Sequence, residues 1–483
     1  MNIIPGWVRN YQKAWLSGDM VAGVIVTVML IPQSLAYALL AGLPPEVGLY
    51  ASILPIIAYA ALGSSMTLAV GPVAVASLMT ASALQPLAAA GSPDYVALAM
   101  LLSLLSGGML LLFGVLRLGF LAHFLSHPVI SGFISGSAVL IAVGQVKHLL
   151  GVKAGGNDVL DTVVQLAHAA PGTNLVTLGI GAGSVLFLVL ARKSLSPWLV
   201  RLGASPRLAD IASKLAPMLA VMVSTALVAA MRWDQTAGVS IVGTVPQGLP
   251  QLGLPAVSMA SVGSLWLPAL LISLVGFVES VSVAQSLALK RQQRIQPNRE
   301  LLGLGAANVA SALSGGFPVT GGFARSVVNF AAGANTPLAG VISAVLMGVV
   351  IAALTGLFHY LPHAVLAATI IVAVVSLIDV ETLREAWHYD KADAMALLAT
   401  AGGVVAFGVE VGILMGVALS LGTLVWRSSH PHIAVVGRVP GTEHFRNVAR
   451  HTVTTEPGLI AVRVDESLYF ANSDALLDRV EEL

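Results

Sequence analysis

Apolar windows separated by short polar connections run from about Asp19 to Arg427, and their lengths are those of helices crossing a bilayer rather than of strands. Windows of about 20 residues, with shorter ones where Gly or Pro interrupts, predict fourteen spans. They lie at 19–41, 47–63, 72–89, 95–117, 124–148, 174–193, 212–232, 265–289, 300–314, 321–332, 337–358, 363–378, 392–407 and 409–426. The first window contains Pro32 and Gln33 and leads directly into further spans with no small-residue cleavage site behind it, so it reads as a span and not as a secretory signal.

The polar positions inside these windows repeat. Gln33 and Glu279 are each followed 39 residues later by a Pro-Val pair, Pro72-Val73 and Pro318-Val319, which implies two halves offset by 246 residues. Seven spans per half is an odd number, so the second half is inverted relative to the first, the plan of many secondary transporters. The expected fold is an all-α polytopic membrane protein, a seven-plus-seven inverted repeat in which spans three and ten are short half-helices.

Composition supports the membrane class: 57% of residues are hydrophobic and 10% charged, with a mean hydropathy of +0.88. A net charge of +1 gives no nucleic-acid footprint, and the lack of cysteine excludes disulfides, thiolate metal sites and cysteine nucleophiles. Lys and Arg cluster at Arg9 and Lys13, between Arg192 and Lys214, and from Lys290 to Arg299, whereas residues 234–264 have none. With fourteen spans every cluster falls on one side, which sets both termini in the cytoplasm of a multi-pass cell-membrane protein.

The organisation expected is a cytoplasmic N-terminus (1–18), a transport domain (19–427) and a cytoplasmic segment (428–483). In the last, Gly458 to Val464 reads as a buried strand ahead of a polar helix from Ser473, and the segment as the start of a soluble domain that is cut short.

Spans three and ten each open on the repeated pair, and proline suits a first helical turn. Should both helices begin at mid-membrane, their free N–H groups and positive dipole ends would face each other and make a site for a small anion. Single Gly-Pro pairs also mark ordinary helix ends. Arg325, a turn into span ten, would add positive potential, unless it snorkels to headgroups. Glu279 lies ten or so residues before Lys290, near mid-depth, where an acid is a candidate proton carrier. Gln33, Ser34 and Tyr37 are read as one face of span one that offers donors to the anion.

Gly132 with Gly136, and Gly408 with Gly412 and Gly416, read as close helix packing. His123 and His127 have the spacing of a metal pair but no third ligand nearby, so no metal is expected. No zinc-protease, Walker or nucleophile-elbow motif occurs; neither enzyme activity nor a cofactor is expected.

The stretches Ile31–Tyr50, Gly71–Leu78, His127–Gly151, Phe277–Ala288, Gly316–Gly340 and Gly408–Leu421 resemble the sulfate permease family of anion transporters, over nearly the whole chain. Pro440-Gly441-Thr442 and Leu468 to Asn472 look like the start of that family's STAS domain. The resemblance implies a core of spans 1–4 and 8–11, a gate of spans 5–7 and 12–14, a homodimer, and an elevator-like movement of core against gate. It further implies that Gln33, Tyr37, Val73, Ala74, Thr320, Ala324 and Arg325 contact the anion and that Glu279 couples a proton, sodium-coupled bicarbonate relatives tending to carry Asp there.

The function expected is proton-coupled symport of sulfate or a dicarboxylate such as fumarate. The alternatives are an uncoupled chloride or bicarbonate exchanger or channel, which needs no titrating acid, a nucleobase carrier of the same architecture, and a scaffold signalling through its C-terminal segment.

Overall fold

The computed structural model describes residues 5–123, 127–156, 159–255, 258–470 and 472–483. The chain divides after Gly416 into two compact units. The first is helical apart from a two-stranded ladder, and each predicted span contains a helix. These are α1 Leu16–Leu40, α2 Leu54–Leu62, α3 Ala74–Leu84, α4 Pro93–Val115, α5 His127–Leu150, α6 Leu175–Leu190 and α7 Ala216–Met231. The second half supplies α8 Met259–Leu289, α9 Pro297–Leu313, α10 Phe323–Ala332, α11 Leu338–Ala353, α12 His363–Val375, α13 Lys391–Phe407 and the start of α14 Val409–Ser429, which runs across the division. The strands are β1 Val70–Gly71 and β2 Thr320–Gly321.

Among the described residues, eight helical stretches are long and apolar enough to cross a membrane, and α3, α7 and α11 are shorter apolar helices. Helix starts carry chemical signals: Ser92, Asn174, Ser258 and Asp390 accept a first-turn N–H at the caps of α4, α6, α8 and α13. The second predicted span is broken, with a separate helix Pro45–Tyr50 ahead of α2.

Helices α1 to α4 pack chiefly with α8 to α11, and α5, α6, α7, α12 and α13 pack among themselves; α1 also touches α7 and α12. At the α4–α9 crossing glycine is required. A Cβ on Gly107 would lie 2.7 Å from the Val309 nitrogen, and one on Gly305 would lie 2.8 Å from that of Leu111. Gly132 and Gly136 let α5 approach the α13 backbone at Leu397 and Ala401, and Gly412 lets α14 approach Val404. In α7, Ala216, Ala220, Ser224 and Val228 are buried, whereas Leu219, Met222, Val223 and Leu227 are exposed, a division between protein-facing and lipid-facing sides.

The connection after α7 runs over the ends of other helices, Val242 N–H donating to the Leu361 carbonyl (2.8 Å) and Gly253 N–H to that of Leu313 (3.0 Å).

The second unit holds a three-stranded antiparallel sheet, β3 Ile433–Arg438 between β4 Phe445–Asn447 and β5 Val462–Val464, followed by helix α15 Ser473–Glu481. The strand expected from Gly458 is only the three residues of β5, and Leu459 and Ile460 are exposed. An edge strand pairs on one side, and no described element covers those two side chains, so burial does not extend it.

Candidate functional site

Antiparallel pairing of β1 with β2 sets Val70 opposite Gly321 and Gly71 opposite Thr320. Each strand runs almost at once into a half-helix, α3 at Ala74 and α10 at Phe323, so two N-termini meet at one ladder. Neither N-cap residue, Val73 or Gly322, has a side chain that caps the first turn. The first-turn N–H groups therefore keep their hydrogen-bonding capacity for something else.

The two halves differ in register. Pro72 lies next to the Val73 cap, but Pro318 and Val319 lie before β2 and α10 starts only at Phe323, so Pro318 does not occupy a first helical turn. The physical reason is Asn308 of α9, which clamps the extended pair: its Oδ1 accepts from Val319 N–H and its Nδ2 donates to the Val319 carbonyl, both 2.9 Å.

Neighbouring helices lace the ladder in place. The Thr320 hydroxyl donates to the Gly276 carbonyl (2.7 Å) and lies 2.7 Å from Ser280 Oγ, which accepts from Gly321 N–H at 2.9 Å. Thr320 is thereby engaged with α8, its hydroxyl spent on backbone and Ser280. On the other strand Ala69 N–H donates to Ser326 Oγ (2.9 Å), and Asn329 Nδ2 donates to the Thr67 carbonyl (2.9 Å).

Arg325, in the first turn of α10, is 2% exposed. Its Nη1 donates to the Pro72 carbonyl at 2.7 Å and to Gln33 Oε1 at 3.2 Å, joining α10, α3 and α1. Glycine leaves room for it: a Cβ at Gly322 would lie 3.0 Å from Cζ and Nη2, and one at Gly71 would lie 3.3 Å from Nη2. Among the described residues no carboxylate forms a salt bridge with it, and Nε and Nη2 have no hydrogen-bond partner. A guanidinium buried beside neutral acceptors keeps its positive charge at the site.

Tyr37, buried one turn past Gln33, and Glu279 both lie within electrostatic reach of Arg325. Val73 and Ala74 are buried at the start of α3, whereas Ala324, the residue before Arg325, is exposed. Ser34 does not join them: its hydroxyl pairs with Ser52 at 2.7 Å, toward the second predicted span. Adjacent helical residues point about 100° apart, which is enough to turn Ser34 away from Gln33.

Glu279, partly buried on α8, makes no hydrogen bond or salt bridge among the described residues and lines an apolar crevice with Val129, Phe133 and Ile134 of α5, Thr400 of α13 and Ile413 of α14. Thr400 has no hydrogen to donate to it, since its hydroxyl donates to the Ala396 carbonyl at 2.7 Å. The described residues contain no group of acids and histidines able to hold a metal; the side chains of His123 and His127 lie outside them.

Sequence reasoning missed Ser280, Asn308, Ser326 and Asn329, each buried and each bonded to the ladder or the segment leading into it. The signal was available, because a polar residue in an apolar span needs a partner. Their partners are backbone groups of extended segments, which carry no sequence mark.

Fold and site together define a polytopic membrane protein in which the N-termini of two half-helices and a buried arginine converge on one ladder. A model of the sulfate permease family matches residues 16–400. The chain belongs to that family, which comprises anion transporters and not enzymes. It is 36% identical over 478 residues to sulfate transporter 4.1, chloroplastic, of Arabidopsis thaliana, covering 99% of this chain and 68% of that one. It is 38% identical over 473 residues to the probable sulfate transporter MT1781 of Mycobacterium tuberculosis, covering 97% and 81%. Its fold is similar to that of SLC26A9, with a TM-score of 0.88, 21% identity and coverage of 99% of this chain and 76% of that one. It is also similar to the transmembrane domain of the cyanobacterial bicarbonate transporter BicA, with a TM-score of 0.70, 24% identity and coverage of 84% and 98%.

Proposed function

We propose that this protein is a secondary active transporter that carries sulfate, or a dicarboxylate such as fumarate, in symport with a proton. The observation that carries the reading is the buried Arg325, to which the described residues bring no salt-bridging carboxylate, set where the N-termini of α3 and α10 converge. An anion bound there receives the N–H groups of the first turns around Val73–Ala74 and Ala324–Arg325, with Gln33 and Tyr37 of α1 beside it. Thr320 acts through the position of β2. The sulfate transporters among its relatives favour sulfate as the first substrate to test.

Glu279 carries the proton in this reading, from a crevice lined by residues of the core helix α8 and the gate helices α5, α13 and α14. Movement of the α1–α4 and α8–α11 group against the remaining helices presents the site alternately to the two sides, in a homodimer of the plasma membrane with cytoplasmic termini.

The test is uptake of labelled sulfate, fumarate and bicarbonate into proteoliposomes, with and without an inward proton gradient, by wild type and Glu279→Gln. Gradient-stimulated uptake of one anion, lost in the variant, supports symport. Uptake indifferent to both gradient and variant would leave an uncoupled exchanger or channel, and uptake of none of the three would favour the nucleobase carrier.

A further inference from the structure

Beside Arg325, away from Glu279, a small cavity lies among α1, α2, α10 and α11, lined by Arg325 and Asn329 together with Tyr59, Val70 and Ser343. Its volume is about 20 Å³. A water needs roughly 10–15 Å³ measured in this way, so the space suits one water and not a larger guest.

Tyr59 and Ser343 are already satisfied, Tyr59 donating to Glu300 at 2.7 Å and Ser343 to the Gly23 carbonyl at 2.8 Å. Three buried atoms at the cavity-lining pair are not: Nε and Nη2 of Arg325, which are donors, and Oδ1 of Asn329, an acceptor. Both residues are at least nine-tenths buried, Arg325 at 2% and Asn329 at 5% exposure. The amide cannot turn over cheaply, because its Nδ2 donates to the Thr67 carbonyl at 2.9 Å and a flip would set two carbonyl oxygens together.

The chemistry of these atoms selects the guest. It must accept from a guanidinium and donate to an amide oxygen. A fully deprotonated anion such as sulfate cannot donate, one that keeps an O–H such as bicarbonate is too large for the cavity, and a metal cation would be repelled by Arg325; water fits and does both.

We infer that one internal water bridges Arg325 and Asn329, and that Asn329 is the positioning residue that keeps the guanidinium buried on neutral acceptors with its charge uncancelled. The inference rests on the reading of Arg325 as the anion's counter-charge. Asn329 stands one helical turn past Arg325 on the same face of α10, so a carboxylate at this position would become an internal counter-ion. Asparagine solvates the cation through water and leaves it available.

The experiment measures sulfate uptake by the purified full-length chain in proteoliposomes for wild type, Asn329→Asp, Asn329→Ser and Arg325→Gln. Asn329→Asp is expected to raise KM about tenfold or more with Vmax within about twofold, because a charge is cancelled; the amide's donation to the Thr67 carbonyl is lost in Asn329→Ser as well, which controls for it. Asn329→Ser, neutral and still able to accept from water, is expected to stay within about threefold of wild type. Equal impairment of the two variants would reduce Asn329 to packing and overturn the inference, as would an unchanged KM in Asn329→Asp while Arg325→Gln raises it. An unchanged KM in Arg325→Gln would instead remove the underlying reading of the site. Should Asn329→Asp fail to fold, an experimental map of wild type at about 2 Å decides: a density peak within hydrogen-bonding distance of both residues supports the bridge, and its absence overturns it.

Discussion

Replacing Arg325 with Gln should weaken anions in proportion to their charge. The guanidinium is buried, and its nearest described partners are the neutral Pro72 carbonyl and Gln33 amide, at 2.7 and 3.2 Å. For an anion about 5 Å away in an effective dielectric of about 20, Coulomb's law gives roughly 3 kcal/mol per unit charge. If about half survives the cost of stripping water from the anion, the loss is about 1.5 kcal/mol per charge, close to tenfold in affinity. Gln keeps the aliphatic stem and a polar N–H end, so the substitution removes the charge without leaving an apolar side chain at the site. Uptake of labelled sulfate gives its KM, and competition by unlabelled monovalent and divalent anions gives their inhibition constants in both proteins. The expected losses are about tenfold for a monovalent and about a hundredfold for a divalent anion. A loss below about threefold, or one equal for the two charge classes, would refute the electrostatic argument.

Other consequences can be checked separately. Asn308→Ala removes both hydrogen bonds to Val319 and strands a buried N–H and C=O, which should cost about 1–3 kcal/mol for each group and lower the unfolding temperature in detergent; an unchanged transition would remove the clamp from the account. Gly305→Leu would drive a side chain into the α4 backbone at Leu111 and Gly107, so it should abolish a monodisperse folded species in size-exclusion chromatography, and normal elution with normal melting would contradict the packing described. In the C-terminal unit, the Asp465 carboxyl is held below its ordinary value by hydrogen bonds from His432 and then Arg463. A depressed carboxyl stabilises the fold above the unfolded-state value and loses that contribution as pH falls through the folded one. The protection factors of the β3 amides, taken against their intrinsic exchange rates at each pH, should therefore fall modestly below about pH 4 in wild type, and the fall should shrink in Asp465→Asn.

The helices were legible because bilayer crossing imposes a length and a composition, and the fourteen expected spans each contain a helix. The paired half-helices were legible through two proline pairs, although the pair in the second half marks the extended segment before β2 rather than a helix start. Pairing of Gly71 with Thr320 was not legible: two-residue strands have no period to read, and their partners lie some 250 residues apart. At the site, Gln33 and Arg325 were each conspicuous as polar residues in apolar spans, but that they touch depends on the room left by Gly71 and Gly322. Ser34 was misassigned because neighbouring positions on a helix face different partners. The short β5 shows the reverse case, an apolar run whose burial depends on packing that the run itself does not encode.

Selenate, a heavy isostere of sulfate, should bind between the N-termini of α3 and α10 beside Arg325. An experimental structure with selenate should show its anomalous or difference density within hydrogen-bonding distance of the first-turn N–H groups near Ala74 and Ala324 and close to the Arg325 guanidinium. Selenate bound elsewhere in the transmembrane unit, with this position unoccupied at a saturating concentration, would contradict the account.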